Sequence, residues 1–380
     1  MSARRVGSPL AALAVVAVSA ALAWAGGVAC SAGSSGEREA IPPGEDEASE
    51  LLGADALSPK DVVTAVAQTL ARGQASAALK LVDSALADSP ADAELHLARG
   101  AVLQEMGRGD EAIEAWERAL SFDPSLFGAL DGIGTVHLDN GRAEEAVKFF
   151  RRALDIRPDF AAGQYNYALA LRQLGALDRA LEAMERARAL EPRDPEILLE
   201  QASMLEAAGR GEAARAAVHE AAAVAPEDAW VQMIHGDVLA AEGAPLEEVL
   251  AAYRLAVGLE PALAPARARL LRALLPAGSL DEALAVTTKA TERASEDAAA
   301  WSDHAAVQHA RGDLQAALAS LERALALEPA GVAAHRRRVR VYGALGRCED
   351  ALGAVEAMAS AGVAKAQVER ARADFKTSCP

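Results

Sequence analysis

Apolar positions along most of the chain recur at helical spacing. Between Ala93 and Leu126, Leu95, Leu97, Val102, Leu103 and Met106 follow one helical period, Gly107 interrupts it, and Ala112, Ile113, Trp116, Ala119 and Leu120 resume it. The pattern predicts helix, turn, helix, with each helix about 14 residues and near 20 Å long. Gly107 supplies the left-handed conformation that ends the first helix, and Pro124, which cannot continue a helix, marks the end of the second. Nine glycines in this phase, Gly73, Gly107, Gly141, Gly175, Gly209, Gly243, Gly278, Gly312 and Gly346, recur every 34 or 35 residues, so the hairpin is a repeat.

Aligned on these glycines, the twentieth position is alanine except at Val249, and the twenty-seventh is alanine except at Met358. Small side chains are expected there because helix axes must approach closely where one hairpin nests on the next. The eighth position is small in Gly100, Gly134, Ala168, Ala202, Gly236 and Ala305, and the thirty-second is proline in most units. This pattern, with endings such as Ala187 to Pro192 and Ala324 to Pro329, resembles the tetratricopeptide repeat from Pro59 to about Lys365. The resemblance implies an all-α, right-handed superhelical solenoid of about nine helical hairpins over 59–365. Residues 366–380, in which Val368, Ala371 and Phe375 keep helical spacing without a second helix, are expected to form a C-terminal capping helix and tail. Ala244-Pro245 lengthens the sixth unit by one residue, while Leu271 and Ser295 in the seventh and Val339 and Met358 in the ninth depart from the pattern.

Composition agrees with a helical core. Hydrophobic residues make up 52% of the chain and aromatics 4%, and β-branched runs are nearly absent, which leaves alanine and leucine to fill the interior. The net charge of −17 argues against a nucleic-acid partner, which needs a basic face. Arg4 and Arg5 precede an uncharged stretch whose apolar part runs from Leu10 to Ala29, the pattern of an export signal or membrane anchor over residues 1–29. Gly27-Val28-Ala29-Cys30 resembles a bacterial lipobox, which implies cleavage before Cys30 and its lipidation. Ala23-Trp24-Ala25 offers a site for simple secretion, and the apolar run is also long enough to stay as an anchor. Residues 30–58, rich in serine, glycine, proline and acid, are expected to be a flexible tether.

In tetratricopeptide proteins the first helices line a concave face whose positions two, five, nine, twelve and thirteen contact ligand. By that resemblance the partner-binding groove includes Leu97, Leu138, Tyr165, Leu169, Arg172, Leu199, Trp230 and Met233, with Tyr165, Trp230 and Met233 as apolar anchors. The competing reading buries these side chains between neighbouring repeats. Arg272, Arg336 and Arg340 fall on groove positions near Arg267, Arg269, Arg337 and Arg338, a basic end fit either for capturing carboxylates or for pairing with neighbouring acids. The carboxylate clamp of chaperone-binding relatives does not fit in the nearest register: Asp131, Thr135, Glu196 and Glu200 occupy its basic and amide positions, and Asn166 alone matches.

Catalytic chemistry finds no foothold. The seven histidines are scattered, no glycine-rich phosphate loop follows a strand, and no nucleophile has an oriented base. No cofactor, metal or small-molecule substrate is expected. Cys348 and Cys379 are placed so that a capping helix lying antiparallel to the last second helix would bring them together, either as a disulfide or as two free thiols. The expected function is a non-catalytic protein–protein interaction scaffold in the bacterial cell envelope, similar to tetratricopeptide lipoproteins that assist complex assembly. The alternative is a regulatory or targeting subunit of an envelope enzyme such as a glycosyltransferase or peptidoglycan hydrolase.

Overall fold

The computed structural model describes residues 58–379. The expected signal or anchor, Cys30 and nearly all of the tether lie outside the described residues. Among the described residues there are 19 helices and no strand, and consecutive helices pack in pairs. None of these helices is long and apolar enough to cross a membrane.

The chain divides into two compact units at Ala214 and Arg215. In the first, the successive hairpins are α1 (Pro59–Ala71) with α2 (Ala75–Asp88), α3 (Ala93–Glu105) with α4 (Gly109–Phe122), α5 (Phe127–Asp139) with α6 (Ala143–Ile156), and α7 (Ala161–Gln173) with α8 (Leu177–Leu190). They are followed by α9 (Pro195–Ala207), and α10 (Gly211–Val224) spans the division. The second unit holds α11 (Ala229–Glu242) with α12 (Leu246–Leu259), α13 (Ala264–Leu274) with α14 (Leu280–Arg293), α15 (Ala298–Arg311) with α16 (Leu314–Leu327), and α17 (Val332–Ala344) with α18 (Cys348–Ser360). It closes on α19 (Lys365–Ser378).

The period read from the glycines is the period of the hairpins. All nine glycines have positive φ, and at Gly107 a β-carbon would meet nothing within 4 Å, so backbone conformation and not space requires glycine there. The Gly107 N–H donates to Gln104 O at 2.9 Å and the Arg108 N–H to Leu103 O at 2.9 Å, which ties off the carbonyls at the end of α3. Several first helices start on an aspartate: Asp92, Asp194, Asp228 and Asp297 accept backbone N–H bonds at the N-termini of α3, α9, α11 and α15. The extra residue of the sixth unit lies in its turn, where α12 starts after Gly243, Ala244 and Pro245. In the seventh unit Pro276 has no N–H to donate, and α13 stops early, at Leu274.

Positions eight and twenty-four share one volume inside each hairpin. Gly100, Gly134 and Gly236 face Trp116, Phe150 and Tyr253, and a β-carbon on any of these glycines would come within 2.6 Å of the ring. Where the eighth residue grows, its partner shrinks. Ala168 accompanies Met184 in one buried cluster, and in the seventh unit Leu271 occupies the eighth position while Thr287 stands at the twenty-fourth.

First helices also touch the next first helix: α1 with α3, α3 with α5, α5 with α7 in the first unit, and α11 through α13, α15 and α17 to α19 in the second. No pair of second helices makes comparable contact among the described residues. The first helices therefore form a continuous row in each unit. At the end of the second unit, α19 packs on both α17 and α18 as a further first helix would, burying Val368 and Ala371 against Val339 and Met358. Cys348 and Cys379 are joined by a disulfide, with Cα atoms 5.7 Å apart.

Candidate functional site

The row of first helices is the surface on which the groove residues were expected, and close nesting removes some of them. Met233 is only 1% exposed, packed in one cluster with Ala256 and Ala266. Tyr165 is 7% exposed in the cluster that contains Ile197 of the next first helix, and its hydroxyl donates to Glu196 Oε1 at 3.2 Å. Of the two readings the sequence left open for them, exposed anchor or burial between repeats, the structure shows burial: the following first helix covers both. Trp230 is half-buried against the same cluster as Met233. Leu97, Leu138 and Leu169 are half-buried, each packed on a core cluster, and Leu199 is half-buried as well.

The expected basic end is largely consumed by ion pairs. Arg336 donates to Asp374 of α19 at 2.7 Å, which takes it out of a free groove. Arg267 is 1% exposed and binds Asp303 at 3.0 Å and Asp297 at 3.2 Å. Arg337 reaches Asp303 at 3.3 Å and Ser302 at 2.5 Å, and burial lowers its pKa. Arg269 binds Asp237 at 2.6 Å, and Tyr253 donates to the same carboxylate at 2.8 Å. Arg338 lies against His335. Arg272 and Arg340 are exposed and form no ion pair among the described residues. An open cleft of about 330 Å³ lies beside Ser302, Asp303 and Arg337, whose polar groups are spent on one another.

Residues at the sixth position of the first helices form the main polar framework, and sequence reasoning missed it. Asn166 reaches Asp131, Glu200 pairs with Arg172, Arg269 with Asp237, Asp303 with Arg267, and Arg337 with Ser302 and Asp303, each time linking a first helix to the one before it. A signal was available: this register is polar in Asn166, Glu200, Arg269, Asp303 and Arg337, though apolar or small in Ala98, Gly132 and Ile234. Arg172, expected as a groove residue, is exposed but engaged with Glu200.

Asp131 differs from the other framework acids. It is half-buried, and its only side-chain donor among the described residues is the Asn166 amide, 3.3 Å from each carboxylate oxygen. Burial raises its pKa to about 7, and the amide offsets only part of that rise.

Two of the histidines expected to be scattered meet. His219 Nδ1 lies 3.1 Å from His235 Nε2, and His219 Nε2 lies 3.1 Å from Glu242, which also pairs with Arg215. Sixteen residues separate these histidines across an inter-repeat loop, a spacing that a search within single repeats overlooks. The contacts run as a chain and do not converge on a point, and among the described residues no group of three or more potential ligands is arranged to hold a metal ion.

Two family models, each described as tetratricopeptide repeat, match residues 91–159 and 137–198. The stretch from 91 to 198 therefore consists of such repeats. No curated protein matches the sequence. Among solved structures, one titled as a functional characterization of Pseudomonas aeruginosa pilF is 20% identical, covers 55% of this chain and 94% of its own, and has a TM-score of 0.48. A tetratricopeptide repeat protein from Parabacteroides merdae is 17% identical, covers 66% of this chain and 98% of its own, and has a TM-score of 0.47. YrrB, titled as a tetratricopeptide protein with an unusual peptide-binding site, is 22% identical, covers 49% of this chain and 95% of its own, and has a TM-score of 0.39.

Proposed function

We propose that this chain is a non-catalytic scaffold that holds a segment of a partner protein against its rows of first helices. The observation that carries the reading is a division of labour on those rows. In the second unit most charges there are locked into links between repeats, while Arg272 and Arg340, and Leu199 in the first unit, are not used by the framework. A surface that is rigid underneath and unsatisfied on top suits recognition of an extended or helical segment.

We further propose that the scaffold works outside the cytoplasm, tethered to a membrane through Cys30, where it assists assembly of an envelope complex. The apolar segment before Cys30 and the polar tether after it support this reading, as does the Cys348–Cys379 disulfide, a bond that persists in oxidising compartments. Replacement of Cys30 by Ala is expected to release the protein from membranes or leave an unprocessed precursor; unchanged size and fractionation would refute the anchor.

Capture from solubilised envelopes tests the scaffold itself. Proteins retained by the wild-type chain are expected to remain with the second-helix variant Glu185→Lys and to be lost from the first-helix double variant Leu199→Glu, Arg272→Glu. Equal retention by both, with helical circular dichroism intact, would contradict the proposal. If the retained protein is an envelope enzyme whose activity changes on binding, the role is regulation of that enzyme.

A further inference from the structure

We infer that the first-helix face of the first unit takes a cationic segment, one that presents a lysine or arginine between apolar side chains, with the cation seated on Asp131. This rests on the reading of that face as a partner-binding surface and goes beyond it by assigning the partner's chemistry.

The charge inventory of the face comes first. At positions two, five, nine, twelve and thirteen of α1, α3, α5, α7 and α9, Glu94, Glu105, Asp131, Asp139, Glu196 and Glu206 form no ion pair among the described residues. The cations at those positions are Lys60 and Arg172, and Arg172 is already engaged with Glu200. The second unit has the opposite balance, with Arg272 and Arg340 free and Asp237 paired. The negative balance of the first unit is thus a property of this face and does not simply repeat the acidity of the whole chain.

The way the wholly or partly buried acids are satisfied is more specific. In the second unit Asp303 receives two guanidinium groups, from Arg267 and Arg337. In the first unit Asp131 receives one amide, and Glu196 receives the phenol of Tyr165. A neutral donor fills a lone pair but does not cancel a charge, so both carboxylates keep a negative field in partly desolvated surroundings. Burial raises the proton affinity of Asp131, as expected of a carboxylate that lacks a cation. A lysine or arginine from outside would supply it.

The surroundings of Asp131 define the rest of the occupant. Leu97, Leu138 and Leu169 are half-buried in the same row, from three consecutive first helices. A segment that lays apolar side chains on these leucines gains burial and places its cation where water is already partly excluded, which strengthens the pair. An acidic segment would meet uncompensated carboxylates instead.

The test uses the full chain and two fluorescein-labelled twelve-residue peptides, one alternating leucine with lysine and one alternating leucine with glutamate, followed by fluorescence anisotropy at pH 8. The lysine peptide is expected to bind and the glutamate peptide not to. Asp131→Asn is expected to weaken the lysine peptide by about tenfold or more, as loss of a desolvated charge pair does. Asp110→Asn, an exposed acid on α4, should leave binding unchanged. Equal binding of both peptides, or an unchanged affinity in Asp131→Asn, would overturn the assignment. Leu169→Ala separates the two levels of the argument. If it weakens binding while Asp131→Asn does not, the face binds a segment but not through a cation; if neither matters, the peptide binds elsewhere and the groove reading fails with it.

Discussion

Gly100 lies directly beneath the indole of Trp116: a β-carbon at Gly100 would stand 2.3 Å from Trp116 Nε1, which donates to Leu97 O at 3.2 Å. The glycine on the first helix and the ring on the second are two halves of one packed volume. In an open helix, Gly→Ala stabilises by about 1 kcal/mol. Here the ring must move and its hydrogen bond must break, at an overpacking cost of about 1 to 3 kcal/mol. Gly100→Ala is therefore expected to lower stability in urea unfolding. Combining it with Trp116→Met, which recreates the Ala168 and Met184 pairing of the fourth repeat, should recover part of the loss. Strict additivity of the two changes would contradict shared volume.

Arg267 presents the opposite case, a large cation fully inside. Removing it leaves Asp297 without its guanidinium and leaves Asp303, itself buried, with Arg337 alone. Arg267→Ala should destabilise by about 3 to 5 kcal/mol, the range for breaking a buried pair on one side. Arg108→Ala, which breaks an exposed pair with Glu111, should leave the melting temperature unchanged. Similar small effects in both would mean that Arg267 is not buried as described.

Local rules made the hairpins legible in the sequence. Glycine phase placed the turn inside each of the nine hairpins, because a positive φ excludes most other residues, and helical spacing placed the apolar faces on either side. Contacts between repeats were harder to read. Met233 and Tyr165 share the spacing of exposed groove residues, and only the approach of the next first helix buries them. The sequence left the pairing of Arg336 open, because its partner, Asp374, lies 38 residues away in the cap and not in a neighbouring turn. The pairing of His219 with His235 crosses a repeat boundary, so a search inside single repeats does not find it. The volume exchange between positions eight and twenty-four was half visible as a run of small residues at position eight, but the reason for it lay on the second helix.

Asp131 gives a pH signature of its own. Its folded-state pKa of about 7 lies above the ordinary carboxylate value, so between about pH 4 and 7 the folded chain keeps a proton that the unfolded chain releases. Its contribution to stability therefore falls as pH rises through that window and is flat above it. Asp131→Asn should raise the melting temperature at pH 7.5 and change it little at pH 4. A difference that does not depend on pH would show that Asp131 titrates normally.

The cap is held covalently as well as by packing. The disulfide spans 31 residues, and a loop of that length contributes roughly 3 to 4 kcal/mol by the chain-entropy estimate. Reduction is expected to accelerate hydrogen exchange in α19 first, since that helix then relies on the packing of Val368, Ala371 and Phe375 and on the Asp374–Arg336 pair. Cys348→Ser should reproduce the effect without reductant. Unchanged exchange in α19 would mean that packing alone secures the terminus.

Site-specific photo-crosslinking in living cells tests the central claim most directly. A benzophenone side chain is placed at Leu199 or Arg340 on the first-helix rows, or at Glu185 or Glu322 on exposed faces of second helices. The scaffold account predicts a discrete covalent adduct at Leu199, at Arg340 or at both, and none at Glu185 or Glu322. Adducts at the second-helix positions with none on the first-helix rows would contradict it.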